Sequence, residues 1–403
     1  MFHYFDYAAT KPVRPEAAQA ALEAMTQGWG NPSSQYELGR QAAAQVKQWR
    51  TDVAKALGCG GEELFFTSCG SESDNWAIQG AVELNRRKGK HIVTTAIEHS
   101  AVLEPIKVLE RQGYEVTYLQ PDRQGNIDPV QAAAALRPDT VLVSMMLVNN
   151  ELGTILPVKE TAQAVRKSGS PALLHCDAVQ GFLKVPFTPK ELGVDLLSVS
   201  GHKIHAPKGV GALYIRKGLK MPPLIRGGGQ ENGLRSGTEA TAQIAAFAAA
   251  ARLGAASFQE DFSHMKQLRS YLLQRLAQEL PQAVPLTQGG APHILPISLP
   301  GYKSEVVVRF LSDRGIYLSS GSACHRGKPS HVFAASSCPN RSRMACCGSV
   351  FPTTPPRRTR TPSFRGSKRP EMNSLPPCPE GRLPHNKKEH FCVFIHEAGA
   401  PIL

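Results

Sequence analysis

The chain has 403 residues, of which 41% are hydrophobic and 20% charged. These fractions are close to the average of globular proteins, which excludes a wholly disordered or fibrous chain. The formal net charge is +13, but residues 337–403 carry +7 of it, so the rest of the chain is only mildly basic. Because no base-reading motif accompanies that charge, we expect no nucleic-acid partner.

The cysteines and the apolar runs narrow the class of protein further. Five of the nine cysteines lie in 337–403, and the other four, Cys59, Cys69, Cys176 and Cys324, are too far apart to match a metal-binding motif. The N-terminus lacks the basic stretch and apolar run of a secretion signal, and no apolar run reaches the roughly 18 residues of a membrane span. We therefore expect a cytoplasmic protein without a metal ion, disulfide bonds or membrane contact.

Strands and helices alternate through the first half of the chain. Two helices are predicted first, at 15–27 and 41–57. The strands predicted after them are 64–67, 91–95, 116–119, 140–147, 172–176, 196–199 and 210–215, and the helices between the first six are 73–87, 101–112, 129–136 and 159–167. This alternation indicates an α/β fold with a mostly parallel central sheet and helices on both faces.

The pattern changes after this region. A helical stretch at 239–280, interrupted near Gly254, leads to a strand at 294–299, a helix at 305–313 and a glycine-serine loop around Cys324. These elements are typical of a smaller α+β unit.

The pattern predicts three parts of the chain. We expect a large domain over 15–253 and a smaller α+β domain formed by 1–14 and 254–336. Residues 337–403 contain 11 prolines and no sustained apolar period. Because prolines break helices and little apolar surface is available for burial, we expect this basic tail to be disordered.

Residues with distinctive chemistry follow the predicted strands, at the sheet edge where ligands of parallel sheets bind. Lys203 follows the strand at 196–199, after Ser200 and His202. A lysine there can form a Schiff base while its hydroxyl and imidazole neighbours hold a phosphate; a surface lysine is the simpler interpretation of this segment alone. Asp177 ends another strand, where a carboxylate can either pair with a protonated pyridine nitrogen or cap a helix.

Three further segments have weaker signals. Gly70 and Ser71 stand where the strand at 64–67 gives way to a helix, and a helix N-terminus can bind a phosphate, although glycine turns before helices are common. His99 can lie against a flat cofactor ring or cap a helix. Asn150 can reach a ring hydroxyl or belong to a plain turn.

Taken together, these segments resemble the cysteine desulfurases of the pyridoxal-phosphate-dependent class V aminotransferase family. The matching segments are DYAAT (6–10), GNPSS (30–34), TTAIEHSAVL (94–103), NNELGT (149–154), CDAVQ (176–180), SVSGHKIHAPKGVGALY (198–214), GGGQENGLRSGTE (227–239) and SSGSAC (319–324). The resemblance extends from about residue 4 to about residue 335. It implies the fold-type I aminotransferase architecture, pyridoxal 5'-phosphate as cofactor and a homodimer.

The resemblance also implies a role for each site residue. Lys203 matches the lysine that binds the cofactor, Asp177 the partner of its pyridine nitrogen, and His99 the residue stacked on its ring. The other implied contacts to cofactor or substrate are Gly70, Ser71, Asn150, Gln180, Ser200, His202 and Thr238, the last reaching the phosphate of the neighbouring subunit. Cys324 matches the nucleophile that takes sulfur from L-cysteine as a persulfide, leaving L-alanine.

The implied activity supplies sulfur for iron-sulfur clusters or other sulfur cofactors, with an acceptor or scaffold protein as partner. A selenocysteine lyase, another pyridoxal-phosphate aminotransferase, and an inactive cofactor-binding remnant are the alternatives. The last arises because relatives carry an arginine for the substrate carboxylate beyond the point where the resemblance ends. Arg341 and Arg343 lie in unrelated surroundings, so we assign neither of them to that role.

Overall fold

The central element of the protein is a seven-stranded sheet. The computed structural model describes residues 2–320, 330–336 and, for the backbone alone, 345–346. In chain order the strands are β1 (His3–Tyr4), β2 (Leu64–Thr67), β3 (His91–Thr95), β4 (Glu115–Leu119), β5 (Thr140–Ser144), β6 (Leu173–Asp177), β7 (Leu196–Ser200), β8 (Gly211–Ile215), β9 (Val284–Pro285), β10 (Ile297–Ser298), β11 (Ile316–Tyr317) and β12 (Ala345–Cys346). The helices are α1 (Pro15–Thr26), α2 (Glu37–Leu57), α3 (Gly70–Asn85), α4 (Ser100–Arg111), α5 (Pro129–Ala134), α6 (Val158–Ser168), α7 (Pro189–Leu192), α8 (Thr241–Ala256), α9 (Phe258–Glu279), α10 (Ser304–Ser312) and α11 (His331–Ala335).

The large sheet is mostly parallel, as its sequence pattern predicts. Its strand order is β2-β8-β7-β6-β5-β3-β4. Only β8 runs antiparallel to its two neighbours, β2 and β7, while the pairs from β7 to β4 are parallel. As a result, β2 to β7 all end at one edge of the sheet, and the segments that follow them meet there.

Helices cover both faces of this sheet because adjacent residues of each strand point to opposite faces. Phe65 packs in one core with helices α3 and α4, which contribute Trp76 and Ile106. Phe66 packs in the other core with helices that include α2 and α8, where Phe247 is fully buried. Two buried faces explain why the strands read as continuous apolar runs.

The last part of the chain has its own strands and apolar cluster. The N-terminal strand β1 pairs in parallel with β11, and β10 lies between β9 and β12. Leu272 and Leu276 of α9 pack with Leu311 of α10 in a third core. Ile294 and Phe333, however, belong to the core of the large sheet. The division into domains at residues 14 and 254 stays a prediction.

Helix α2 begins earlier than its sequence pattern predicts. It starts at Glu37 rather than at residue 41 and includes Gly39, which resembles a loop residue in the sequence. A Cβ at residue 39 would lie 2.2 Å from the Ser34 carbonyl oxygen. The glycine is therefore required for close packing against the preceding loop, and it does not end the helix.

Two predicted strands are shorter in the structure. The strand predicted at 140–147 ends at Ser144. The Met145 and Leu147 amides still donate to β6, but the Met146 amide between them donates to the Glu98 side chain at 2.9 Å. The strand predicted at 294–299 is limited to Ile297–Ser298, and the preceding Pro296 has no amide hydrogen for a ladder. The first correction comes from a hydrogen bond that the residue pattern does not show, whereas Pro296 is visible in the sequence.

The long helical stretch is interrupted at Ser257, three residues beyond Gly254, near which the sequence pattern predicts the interruption. The Ser257 hydroxyl donates to Asp261 at 2.7 Å, at the start of α9. Gly254 remains helical, and a Cβ there would lie 2.9 Å from the Leu183 side chain. The ends of the other predicted elements differ from the observed ends by at most three residues.

A buried ion pair holds the segment before α8 against the large sheet. Arg50 of α2 donates two hydrogen bonds to Glu231, at 2.6 and 2.7 Å, and the Phe66 amide of β2 donates to the same carboxylate at 2.9 Å. The Glu231 side chain is 3% exposed, whereas that of Arg50 is 19% exposed. Glu231 and Asn232 both have positive φ, which side chains rarely adopt, so these contacts hold a strained turn.

We expect Glu231→Gln to lower the free energy of unfolding by about 1.5–3 kcal/mol, because it weakens hydrogen bonds to a charged group. Denaturant unfolding at fixed protein concentration measures the change. The matched control is Glu37→Gln, since the Glu37–Arg40 pair is 64% exposed on both sides and such pairs contribute little. Equal free energies of unfolding for the two variants would contradict the importance of the Arg50–Glu231 ion pair.

Candidate active site

Three segments converge where the parallel strands end. Asp177 ends β6, Ser200 ends β7, and Gly70 begins α3 after β2. A Cβ at residue 70 would lie 2.8 Å from the Val179 side chain and 3.4 Å from that of Ser200. Glycine therefore lets the start of α3 approach the ends of β6 and β7 closely.

Lys203 lies one turn beyond β7 and is held by the N-terminal segment. Its ammonium donates to the carbonyl oxygens of Ala8 at 2.5 Å and Ala9 at 3.0 Å. The Gln180 side-chain amide donates to the same Ala8 carbonyl at 2.9 Å. A single backbone oxygen thus joins the predicted cofactor lysine to the turn after β6.

Further contacts fix the N-terminal segment over this region. The His202 ring and the Thr10 hydroxyl are 3.2 Å apart, and the Lys11 amide donates to the His202 carbonyl at 3.1 Å. The Arg14 amide donates to the His205 carbonyl at 3.0 Å. Burial, followed by nearby lysines, lowers the pKa of His202 to about 4, so its ring is neutral near pH 7.

The Ser200 hydroxyl is a buried polar group that lacks a hydrogen-bond partner among the described residues. It lies beside Gly70, at the N-terminus of the 16-residue helix α3. Unsatisfied buried hydroxyls are costly, and helix N-termini favour anions. Ser71, in the first turn of the same helix, is exposed. This corner suits a phosphate group.

Asp177 is buried at the end of β6 and accepts a hydrogen bond from the Val179 amide at 2.9 Å. Burial, and next the nearby Asp74 carboxylate, raise the pKa of Asp177 to about 6. His99 and His175 lower the pKa of Asp177. A cationic neighbour would likewise stabilise its charged form. The carboxylate therefore has the properties needed to hold a protonated ring nitrogen.

A polar network that the sequence interpretation missed lies behind Asp177. The fully buried His175 ring is 2.9 Å from the Ser144 hydroxyl, 3.0 Å from the Ser198 hydroxyl and 3.5 Å from the Asp74 carboxylate. Polar side chains on consecutive buried strands were the available signal, because such groups require partners inside the protein.

Glu98 and His99 lie side by side after β3. The His99 Nδ1 atom accepts a hydrogen bond from the Ala101 amide at 3.1 Å and caps α4, so the neutral ring carries its proton on Nε2. Burial raises the pKa of Glu98 to about 8, and its carboxyl accepts from Thr95 and Met146. Near pH 7 Glu98 is therefore mostly protonated. His99 caps helix α4, which is one of the two roles that the sequence suggests. Its position beside a cofactor ring stays a prediction.

The structure does not bring every predicted site residue into this group. Thr238 is exposed, and Asn150 is half-buried in the turn after β5, without a side-chain hydrogen bond to the described residues around Lys203. Cys324 and the 337–403 tail, including Arg341 and Arg343, lie outside the described residues, apart from the backbone of 345–346.

A surface cavity of about 910 Å³ lies beside the site. Ser71, His99 and Arg226 line it, together with residues of α3 and α4. Lys203 is absent from its described lining, so this cavity adjoins the lysine group and does not contain it. Within the described ranges, three or more potential metal ligands do not cluster, and none of the helices is long and apolar enough to cross a bilayer.

Comparison with known proteins identifies the family. The family model described as aminotransferase class-V matches residues 3–347. The chain belongs to this family. It is 43% identical over 345 residues to a cysteine desulfurase IscS of Methanosarcina thermophila, covering 84% of each chain.

Solved structures agree with this result. A structure titled NIFS-like protein has a TM-score of 0.84 and 34% identity, covering 98% of this chain and 99% of its own. A structure titled SspA in complex with cysteine has a TM-score of 0.75 and 32% identity, covering 86% of this chain and 98% of its own. The predicted resemblance and fold class are confirmed.

Members of this family are pyridoxal-phosphate-dependent enzymes, which confirms the predicted enzyme class and cofactor. The residues present fit that cofactor. Lys203 supplies an amine, Asp177 a buried carboxylate and Ser200 a buried hydroxyl without a partner in the described chain. The lack of a side chain at residue 70 leaves space beside the Ser200 hydroxyl.

We expect Gly70→Ala to weaken binding of pyridoxal 5'-phosphate by roughly five- to hundredfold, because the added methyl group forces the converging segments apart. Titration of cofactor-free protein, followed by visible absorbance, measures the affinity. Gly61→Ala is the control, since its new Cβ would lie 3.8 Å from the nearest atom. Unchanged affinity in a folded Gly70→Ala protein would contradict the proposed close approach.

Proposed function

We infer that the protein is a pyridoxal-phosphate-dependent cysteine desulfurase, which converts L-cysteine to L-alanine and transfers the sulfur to one of its own cysteines. One observation carries the proposal. Asp177 and the buried Ser200 hydroxyl end neighbouring strands at one edge of the sheet, and Lys203 follows the second of these strands, in a chain whose relatives are named cysteine desulfurases. These names favour desulfuration over a selenocysteine lyase or another aminotransferase.

We assign each described residue a task. When bound, pyridoxal phosphate acts as an electron sink that activates the bonds of a substrate amino acid. Lys203 anchors the cofactor, and Asp177 holds a proton on the ring nitrogen. Gly70, Ser71, Ser200 and His202 hold the phosphate, while Gln180 and Asn150 contact the cofactor or substrate. His99 stacks against the ring and presents its Nε2 proton.

Cys324 is the proposed nucleophile, since a thiolate is needed to accept the sulfur. Two other cysteines are unsuited to this role. Burial, and then Glu63 and Glu62, raise the pKa of Cys59 to about 12. Burial raises the pKa of Cys176 well above its ordinary value.

Thr238 supports the proposal of a homodimer. It is exposed in the segment before α8, and Arg235 of that segment donates to Glu72 of α3 at 2.8 Å. The ion pair ties the segment that contains Thr238 to the first turn of α3. From this position it can serve the phosphate of a second copy of the chain.

The sulfur requires an acceptor, which we propose to be a sulfur-accepting or iron-sulfur scaffold protein. The described cysteines Cys59, Cys69 and Cys176 are free thiols. Free thiols and persulfide chemistry suit a reducing compartment, so we propose a cytoplasmic setting. The relatives' names, with IscS among them, support a role in iron-sulfur cluster assembly.

The decisive experiment is product analysis. Purified protein loaded with pyridoxal phosphate, given L-cysteine and a thiol reductant, should release sulfide and alanine in equal amounts. Lys203→Ala should abolish both products and the cofactor-bearing peptide trapped by borohydride. A keto acid instead of alanine would indicate an aminotransferase, and cofactor binding without either product would indicate an inactive remnant.

We expect Cys324→Ala to retain the bound cofactor and to lose nearly all sulfide release, because the sulfur then lacks its acceptor thiol. Mass spectrometry after exposure to L-cysteine should find one extra sulfur on Cys324 in the unmodified protein. Cys69→Ala is the matched control and should still acquire the extra sulfur on Cys324. Undiminished sulfide release from Cys324→Ala would refute the assignment.

A further inference from the structure

Lys184 is a buried lysine that the assignments above leave without a task. It lies four residues after Gln180, and 1% of its surface is exposed. Lysines are almost never so buried unless they are paired. Its Nζ atom donates to the side-chain oxygen of Gln180 at 2.9 Å.

The turn that contains Lys184 has an unusual backbone. Leu183 has a φ of 54°, in the left-handed region that bulky side chains rarely adopt. Its side chain packs against α8 at Gly254, where a Cβ would lie only 2.9 Å away. The structure therefore bears a local strain in the turn that holds Lys184 inside the protein.

The surroundings of Lys184 show that it does not serve an ion pair. None of the ion pairs in the described ranges includes it. Burial lowers the pKa of Lys184 most, and the next largest causes, the charges of Lys11 and Lys203, also lower it. The amide oxygen of Gln180 is its hydrogen-bond acceptor.

The two neighbours of Gln180 determine which way its amide points. A lysine amine has hydrogens to donate, and a backbone carbonyl oxygen only accepts. Lys184 therefore selects the amide oxygen, and the Ala8 carbonyl selects the amide nitrogen. The reversed amide would place its oxygen against the Ala8 carbonyl oxygen and would lose the acceptor of the Lys184 hydrogen bond.

We propose that Lys184 is a positioning residue that fixes the Gln180 amide, so that Gln180 presents an N–H donor to the cofactor. With one amide hydrogen bonded to Ala8, the second is left for a ligand oxygen. The Ala8 carbonyl also accepts from Lys203, so the same network supports the anchoring lysine. This inference rests on the proposed function, because it requires a cofactor beside Gln180.

A double-mutant cycle tests the proposal. Lys184→Met, which keeps an unbranched side chain shorter by one atom and removes the donor, should weaken the affinity of cofactor-free protein for pyridoxal 5'-phosphate about three- to tenfold. Gln180→Leu should weaken it at least as much. The double variant should bind like Gln180→Leu alone, because Lys184 acts only through Gln180. The absorbance maximum of the bound cofactor should shift alike in both single variants.

The control is Lys11→Met, which removes another buried lysine that makes no side-chain hydrogen bond to Gln180. Its effect should add to that of Gln180→Leu. Thermal melting of each cofactor-free variant shows whether it is folded. If Gln180→Leu does not fold, Gln180→Met takes its place in the cycle.

Two results would overturn the proposal: unchanged affinity and spectrum in Lys184→Met, or additive losses in the double variant. If the unmodified protein itself fails to bind pyridoxal phosphate, the proposed function fails together with this inference. Normal binding by the unmodified protein with an inert Lys184 would refute this inference alone.

Discussion

The site depends on one backbone oxygen. The Ala8 carbonyl accepts from Gln180 and from Lys203, and so joins the N-terminal segment to the segments that follow β6 and β7. These segments are far apart in the sequence and meet because the parallel strands end at one edge. The sheet supplies the common edge, and the carbonyl fixes the distances between side chains there.

Buried acidic and basic groups with shifted pKa values lie at this edge. Burial raises the pKa of Glu98 to about 8 and that of Asp177 to about 6 on the side of β3 and β6. Beneath the N-terminal segment, burial lowers the pKa of Lys11 to about 8. A ligand with a basic ring nitrogen at one end and an anionic group at the other complements such an arrangement. Groups like these have perturbed pKa values most often at functional sites.

Apolar runs predict the strands well because both faces of the sheet are buried. For the same reason the polar residues stand at the strand ends, where they predict the site. The sequence does not show where segments approach each other closely. Gly39 and Gly254 both lie within helices, where Ser34 and Leu183 respectively leave no room for a Cβ. Lys184 had a visible signal, a single charge within the apolar run from Phe182 to Val185. The Ala8 carbonyl had none, because every residue has such an oxygen.

The backbone nature of these contacts decides how the site responds to genetic change. Replacing Ala8 or Ala9 by another residue leaves both carbonyl oxygens in the chain, so a scan of side chains passes over two direct partners of Lys203. Loss of the first ten residues would remove both acceptors while leaving Lys203, Asp177 and Ser200 intact in the sequence. An alternative start site or a proteolytic cut could therefore inactivate the protein while every side chain with an assigned chemical role is still encoded.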